Sequence, residues 1–233
     1  ISSGATPQKV LPPNVGLDQG GKFGHWGNES ENDWVDDRWN KMESGPFLSS
    51  SLQTPAGLAL KSIAIRVGDR GEGAVCFDAG HLNLKAGWVG GFLQKSPKRF
   101  GIIEMPRLAG ELAFDSAEGP AWDNANAQYR GLYLHGSRVV LSYAVGNMPV
   151  LDQPWLESPT DLSIFTRTLE LGPTPATHRL TLLNAKTNNV TLTSGATWTQ
   201  ALWQEGPKIT VVRVSDAKVE LVRLDSGLLA ATF

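Results

Sequence analysis

The sequence is poor in cysteine, in densely basic stretches and in long apolar runs. Its 233 residues include a single cysteine, Cys76, so no disulfide can form within the chain. The formal net charge is −2 and no stretch is densely basic, which argues against nucleic acid and anionic membrane surfaces as partners. No apolar run approaches the roughly 20 residues that a membrane-spanning helix needs, so we expect no membrane insertion.

Motifs for cofactors and common nucleophiles are also missing. The sequence has no Cys-x-x-Cys-His for covalent haem attachment and no Gly-x-Ser-x-Gly nucleophile elbow. "GDRGEG" (68–73) resembles a phosphate loop only superficially, because a strand rather than a helix follows it, and it predicts a tight hairpin turn. We therefore expect no cofactor on this chain.

The N-terminal part differs in composition from the rest. Residues 1–24 are rich in proline, glycine and polar residues, and we predict an extended arm there, followed by one β-sandwich domain over 25–233. Apolar residues near helical spacing predict a short helix near residues 31–43. The chain begins without methionine or a basic, apolar leader, as a mature exported protein or a trimmed chain would.

The remaining segments alternate between apolar and polar residues and are separated by turn residues. "SIAIRVG" (62–68) and "AVCFD" (74–78) predict a hairpin, in which Cys76 is a buried core residue. A meander of three strands is predicted at about 129–134, 137–145 and 148–152, with His135 and Gly136 as the turn between the first two. About a dozen such strands without intervening helices predict an all-β, antiparallel sandwich of two packed sheets.

Three segments resemble a known family: "GPFLSSSLQ" (45–53), "AIRVGDRGEGAVCFDAGHLNLKAGWVGGFL" (64–93) and "YRGLYLHGSRVVLSYAVGNMPVL" (129–151). They are similar to an uncharacterised domain of large exported proteins in Planctomycetes and Verrucomicrobia, which typically lies ahead of sugar-dehydrogenase-like propeller segments and c-type cytochrome domains. The resemblance covers residues 23–151 well and the remainder loosely. It implies a periplasmic or secreted location and association with redox and carbohydrate proteins. Haem c is then expected on a partner, since this chain lacks the attachment motif.

Two kinds of acidic site are open to the sequence. Paired carboxylates would suit glycoside hydrolysis, and Asp78, Glu104 and Asp123 are the weak candidates for acid and base. Asp78 and His81 in "FDAGHL" are also weak candidates for metal ligands, but a zinc site needs three or four convergent ligands, so we expect no metal. Polar residues at the end of a strand explain the pair equally well.

Tryptophan is the most suggestive residue type, because eight of them is a high number for this length. Trp88 and Trp122 lie in stretches rich in glycine and aspartate, where a ring could be exposed and stack on the apolar face of a sugar. Asp123, Asn124 and Arg138 would then bind hydroxyl groups. Packing in the core or at a sheet edge is the alternative for each ring.

These observations favour a non-catalytic accessory or interaction domain of an exported, cytochrome-associated carbohydrate-oxidising system. Its expected ligand is a glycan or a redox partner, such as a c-type cytochrome or a sugar-dehydrogenase-like propeller protein. The alternatives are a carbohydrate-active enzyme that uses paired carboxylates, and a purely structural subunit of a redox complex.

Overall fold

The computed structural model describes residues 40–97, 104–123, 126–159, 162–216 and 218–233. These residues fall into two compact units. The larger comprises 44–93 and 107–233, and the smaller includes the described residues 40–43, 94–97 and 104–106. The predicted arm over 1–24 lies outside the described residues, as does almost all of the helix predicted near 31–43.

The described part of the chain is built from seventeen strands, more than the dozen that the sequence predicted. Two of them, β5 and β6, are only two residues long and have no alternation by which the sequence could reveal them. The strands are β1 (Phe47–Thr54), β2 (Gly57–Val67), β3 (Gly73–Asp78), β4 (Asn83–Val89), β5 (Leu93–Gln94), β6 (Arg107–Leu108), β7 (Glu111–Asp115), β8 (Ala127–His135), β9 (Arg138–Val145), β10 (Met148–Glu157), β11 (Ile164–Leu171), β12 (Arg179–Asn184), β13 (Thr191–Ser194), β14 (Thr199–Glu205), β15 (Lys208–Val214), β16 (Glu220–Arg223) and β17 (Leu228–Thr232).

The strands pair antiparallel in sheets, as the sequence predicted. The largest sheet has the order β1-β2-β3-β4-β7, and the next has the order β11-β10-β9-β8. Two three-stranded sheets follow in the last third of the chain, β12-β17-β16 and β13-β14-β15. Short hairpin connections between successive strands account for most of this order, because antiparallel neighbours need only a few residues between them.

One hydrophobic core takes side chains from both of the larger sheets. Ile65 and Phe77 of β2 and β3 share it with Leu141, Tyr143 and Val150 of β9 and β10. The Phe77 and Tyr143 rings stack with their centroids 5.9 Å apart. Two sheets with a common apolar core are consistent with the sandwich that the sequence predicted.

Two smaller cores lie on other faces. The first packs Trp88 against small side chains of β2 and β3, on the face of the five-stranded sheet opposite the main core. The second joins the two three-stranded sheets through residues such as Ala201, Trp203, Leu221 and Leu229.

The predicted meander is confirmed, but its first turn is shifted by one residue. β8 and β9 pair as far as His135 and Arg138, so the two loop residues are Gly136 and Ser137. Gly136 has φ of 62°, and glycine at the first loop position is what a type II′ turn requires. His135 is therefore the last residue of a strand and not a turn residue.

A buried carboxylate joins three strands of the four-stranded sheet. Asp152 on β10 is 1% exposed and accepts hydrogen bonds from Arg167 Nε at 3.0 Å and Arg167 Nη2 at 2.6 Å. It also accepts a hydrogen bond from the Tyr143 hydroxyl at 2.9 Å. Burial raises the pKa of Tyr143, and the Asp152 carboxylate raises it further, so the phenol stays protonated and remains a donor.

We predict that Asp152→Ala destabilises the protein by about 3–5 kcal/mol, because it leaves the Arg167 charge in the core without its partner. Tyr143→Phe removes one hydrogen bond and should cost only about 1 kcal/mol. Asp69→Ala, in the exposed turn after β2, is the matched control and should stay within about 0.5 kcal/mol of the parent. Urea unfolding measures all three, and an Asp152→Ala protein as stable as the control would contradict the prediction.

Candidate functional site

Trp88 is fully buried, so the expectation that its ring is exposed was wrong. Its side chain is 0% exposed, and its indole N–H donates to the Phe92 carbonyl at 2.8 Å. The glycines around it do not leave the ring uncovered, because the small side chains of Ala74, directly opposite on β3, and Ala64 on β2 make room for it in the sheet face. Gly87, the residue before it, accommodates Phe114 on the opposite face, where an added Cβ would lie 2.2 Å from that ring.

Trp122 is also buried, at 3% exposure, although it lies in a loop as the sequence indicated. The loop is held by backbone hydrogen bonds, from Ala121 N to His81 O at 3.1 Å and from Thr181 N to Ala121 O at 2.7 Å. The ring stacks on Phe233 with centroids 5.8 Å apart. Polar neighbours in the sequence predicted the loop correctly, but the ring itself points into the core.

Two of the three predicted hydroxyl-binding residues, Arg138 and Asp123, lie beside buried rings instead of an exposed one. The Arg138 guanidinium lies 3.9 Å from the centre of the buried Trp155 ring, a cation–π contact within the four-stranded sheet. Asp123 lies beside Trp122, with its carboxylate 4.0 Å from His178 Nδ1. Asn124 lies outside the described residues.

Asp78 forms a buried cluster at the end of β3. Its carboxylate is 2.8 Å from His81 Nδ1, accepts a hydrogen bond from Gly80 N at 2.9 Å and lies 3.9 Å from Lys85 Nζ. Lys85 is itself buried and donates to the Leu58 carbonyl at 3.3 Å. Leu82, next to His81, has φ of 49°, a conformation that costs a non-glycine residue about 1–2 kcal/mol.

The cluster brings together the two predicted metal candidates but does not complete a metal site. Asp78 and His81 offer two ligands, and the residues that the structure describes hold no group of three or more His, Cys, Asp or Glu side chains placed for a metal ion. The His81 side chain is 46% exposed, and the buried carboxylate fixes its orientation. Lys85 places a positive charge beside Asp78, which weakens the attraction of the carboxylate for a cation.

The three candidate catalytic carboxylates have different neighbours. Asp78 is held by His81 and Lys85, whereas Asp123 faces His178. Glu104 lies in the smaller unit and accepts a hydrogen bond from Ser96 Oγ at 3.1 Å. Within the larger unit, the contacts of the described residues do not join Asp78 to Asp123.

Cys76 is buried, as the sequence predicted, and it lies on the same face of the sheet as Asp78. Burial is the larger cause and the nearby Asp78 carboxylate the next, and with them the pKa of the thiol is raised to about 12. The reactive thiolate is therefore scarce at neutral pH.

A surface with several exposed apolar residues lies elsewhere, on the β13-β14-β15 sheet. Strand register places a set of side chains on its solvent side, which we call the outer face: Thr191, Thr193, Gln200, Leu202, Gln204, Ile209, Val211 and Arg213. Leu202 and Val211 are directly opposite one another, and Ile209 lies two residues from Val211 on the same side. These three side chains are 40%, 53% and 62% exposed, respectively.

The other side of this sheet explains why β14 and β15 fold as they do. Ala201, Trp203, Val212 and Val214 pack into the core shared with the β12-β17-β16 sheet. β15 thus has apolar residues on both faces, although only one face is buried. At the end of the outer face, the Arg213 guanidinium lies 4.5 Å from the centre of the half-buried Trp198 ring. Sequence reasoning identified "KITVVRV" as a strand but missed this surface.

Comparison with protein-family models gives a match over residues 75–152, to DUF6797, a domain of unknown function. This segment begins within β3 and ends at Asp152 on β10, so it includes the Asp78 cluster, Trp88 and Trp122 but neither Arg167 nor the outer face. No curated protein and no solved structure matches the chain. No helix in the described ranges is long and apolar enough to span a membrane.

The DUF6797 match agrees with part of the expectation from sequence. An uncharacterised domain is confirmed within the segment for which we noted a resemblance. The taxonomic distribution and the association with cytochromes stay predictions.

The buried position of Trp88 predicts a structural role for its ring. Trp88→Ala should lower the free energy of unfolding by about 3–5 kcal/mol, because it removes a large buried side chain and leaves a cavity. Leu60→Ala, at a residue 70% exposed on β2, is the control and should stay within about 0.5 kcal/mol of the parent. Thermal melting of both variants tests this, and equal melting temperatures would count against a core position for Trp88.

Cys76 should be inert toward thiol reagents in the folded protein at pH 8 and should react once urea unfolds the chain. The raised pKa also predicts a pH effect on stability. Below the ordinary thiol pKa of about 8.5 both states keep the proton, whereas between that value and about 12 only the unfolded chain releases it. The stabilisation from Cys76 is thus lost as pH rises through this window, and Cys76→Ala should flatten that part of the profile. Labelling of the native thiol at the rate of free cysteine would contradict the assignment.

Proposed function

We propose that the chain is a non-catalytic interaction module that binds a protein partner through the outer face. The observation that supports this most directly is the exposure of Leu202, Ile209 and Val211 side by side on one regular sheet surface. Single exposed apolar residues are ordinary, but adjacent ones on a flat face are typical of interaction sites.

The chemistry of the face favours protein over glycan. Its apolar residues are aliphatic, and its only charged member, Arg213, is already placed over the Trp198 ring. Stacking on a sugar needs an open aromatic face, which this arrangement covers on the side that Arg213 occupies. An apolar, uncharged patch on another protein would bury the three aliphatic side chains at about 25 cal/mol for each Å² of apolar surface removed from water.

The class of partner follows from the resemblance noted in the sequence. A c-type cytochrome or a sugar-dehydrogenase-like propeller protein would be the partner, in the periplasm or outside the cell, and haem c would be on that partner. The chain would then serve as an accessory subunit of an exported carbohydrate-oxidising system. Because the face is nearly uncharged, binding should depend little on salt concentration.

The alternatives have less support in the contacts of the described residues. A carbohydrate-active enzyme needs two carboxylates across one cleft, whereas Asp78 is held by His81 and Lys85 and Asp123 faces His178. A purely structural subunit would bind its complex without any dependence on the outer face, which the experiment below distinguishes.

Leu202→Gln tests the face, because Leu202 lies on the middle strand of the sheet and its change leaves both edges intact. We expect about ten-fold weaker binding to the partner, the loss that corresponds to about 1.4 kcal/mol. The measurement is calorimetric titration with purified exported c-type cytochromes and propeller domains, with the melting temperature recorded in parallel. Leu60→Gln, at an exposed leucine on β2, is the matched control and should bind like the parent. Unchanged affinity in Leu202→Gln would rule out the outer face as the binding surface.

A further inference from the structure

The outer edge of β15 is a free strand edge in the described structure. β15 (Lys208–Val214) is the last strand in the order β13-β14-β15, and no strand among the described ranges pairs with its other side. An unpaired edge leaves a row of backbone N–H and C=O groups available to another chain.

The hairpin that joins β14 to β15 determines which backbone groups face outward. Gly206 and Pro207 form a two-residue loop with Gly206 at φ of 59°, and Glu205 pairs with Lys208 across it. The closing pair of such a hairpin is hydrogen bonded, and hydrogen-bonded and non-bonded pairs then alternate. Every second residue from Lys208 onward, Thr210 included, therefore directs its backbone N–H and C=O groups to β14. Ile209, Val211 and Arg213 direct their N–H and C=O groups to the free edge.

The central part of this edge lacks a bulge and a proline, two of the features by which natural proteins block edge pairing. β15 pairs with β14 in continuous register for seven residues, without a bulge, and its nearest proline, Pro207, lies in the preceding turn. β8, an edge strand of the four-stranded sheet, differs because it has a register shift between Tyr129 and Gly131. Bulges and inward charges protect edges from other strands, and β15 has neither in its central residues.

We propose that β15 pairs with β15 of a second copy of this chain, antiparallel, with Val211 on the two-fold axis. In this register Val211 is opposite Val211 of the second copy, and Ile209 is opposite Arg213. All of these residues direct their backbone groups outward, so three residue pairs exchange both bonds, about six hydrogen bonds in all. Other antiparallel registers centred on β15 are less favourable. They either shorten the overlap, or place a residue whose backbone groups point to the free edge opposite one whose backbone groups are already bonded to β14.

Charge also favours a second copy as the occupant. The two cations of the strand do not meet in this register, because Lys208 is opposite Val214 and Arg213 is opposite Ile209. Lys208 and Arg213 also lie on different faces of the sheet, since their positions have opposite parity. The joined sheet has six strands, and the aliphatic residues of the two outer faces become continuous across the axis. The pairing does not depend on the proposed function.

Proline substitutions test the edge. Val211→Pro removes an outward N–H but no hydrogen bond to β14, so the fold should persist while the dimer is lost. Leu192→Pro is the matched control, because it places proline at the outward-facing position of β13, the opposite edge of the same sheet. Analytical ultracentrifugation at about 10–200 µM, the range in which a dissociation constant in the micromolar range is measurable, should show a dimer for the parent and Leu192→Pro and a monomer for Val211→Pro. A monomeric parent, or a dimeric Val211→Pro protein, would overturn the proposal.

Cysteine cross-linking tests the register without relying on the proline variant. Val211→Cys should form an intermolecular disulfide on mild oxidation, since directly opposite Cα atoms lie about 5.5 Å apart, within the disulfide range. Ile209→Cys should not, because its counterpart would be four residues along the partner strand, about 13 Å away. The native Cys76 is buried and does not compete. Equal cross-linking of the two variants on a non-reducing gel would refute this register.

The outcomes separate this inference from the proposed function. A monomeric parent whose cytochrome affinity still falls in Leu202→Gln would refute only the dimer. A dimer whose cytochrome binding is unaffected by Leu202→Gln would refute only the proposed function.

Discussion

The arrangement of the main core depends on the Asp152 carboxylate, because it neutralises the Arg167 guanidinium that β11 brings toward that core. Arg167 and Tyr143 both donate to it, from β11 and β9 on either side of β10. Without a partner, a charge in such surroundings would lose several kcal/mol of hydration. The three strands are therefore fixed relative to one another, and so are Tyr143 and the ring of Phe77 that stacks on it.

Small residues determine the other face of the five-stranded sheet. The alanines of β2 and β3 create the space that the Trp88 indole fills, and Gly87 lets Phe114 approach from the opposite side. A sequence pattern shows a ring beside glycines but not which residues on neighbouring strands lie over it. Exposure of Trp88 therefore could not be judged from its own flanking residues, and neither could that of Trp122, whose loop is held by bonds to His81 and Thr181.

Much of the fold followed from the sequence because alternation and turn chemistry are local. The β2–β3 hairpin, the meander and the burial of Cys76 needed only periodicity and glycine positions, and the error at His135 was a single residue in assigning the loop. The candidate site could not be predicted in the same way, because it depends on distances between residues that are far apart in the chain. Asp78 and His81 could be paired from their spacing, but Lys85 was not expected to be buried beside them. The outer face did have a local signal. Apolar residues occupy both odd and even positions of "KITVVRV", and by alternation alone this pattern predicts a strand that is buried on both faces.

The position of the family match has a consequence for function. The DUF6797 segment ends at Asp152, whose ion-pair partner Arg167 lies on the next strand. The matched region thus depends structurally on residues beyond it. The outer face begins only at Thr191, well outside the match, and its residues face solvent, where the fold places few demands on them. Under the proposed function, the domain supplies the framework and the last third of the chain supplies specificity.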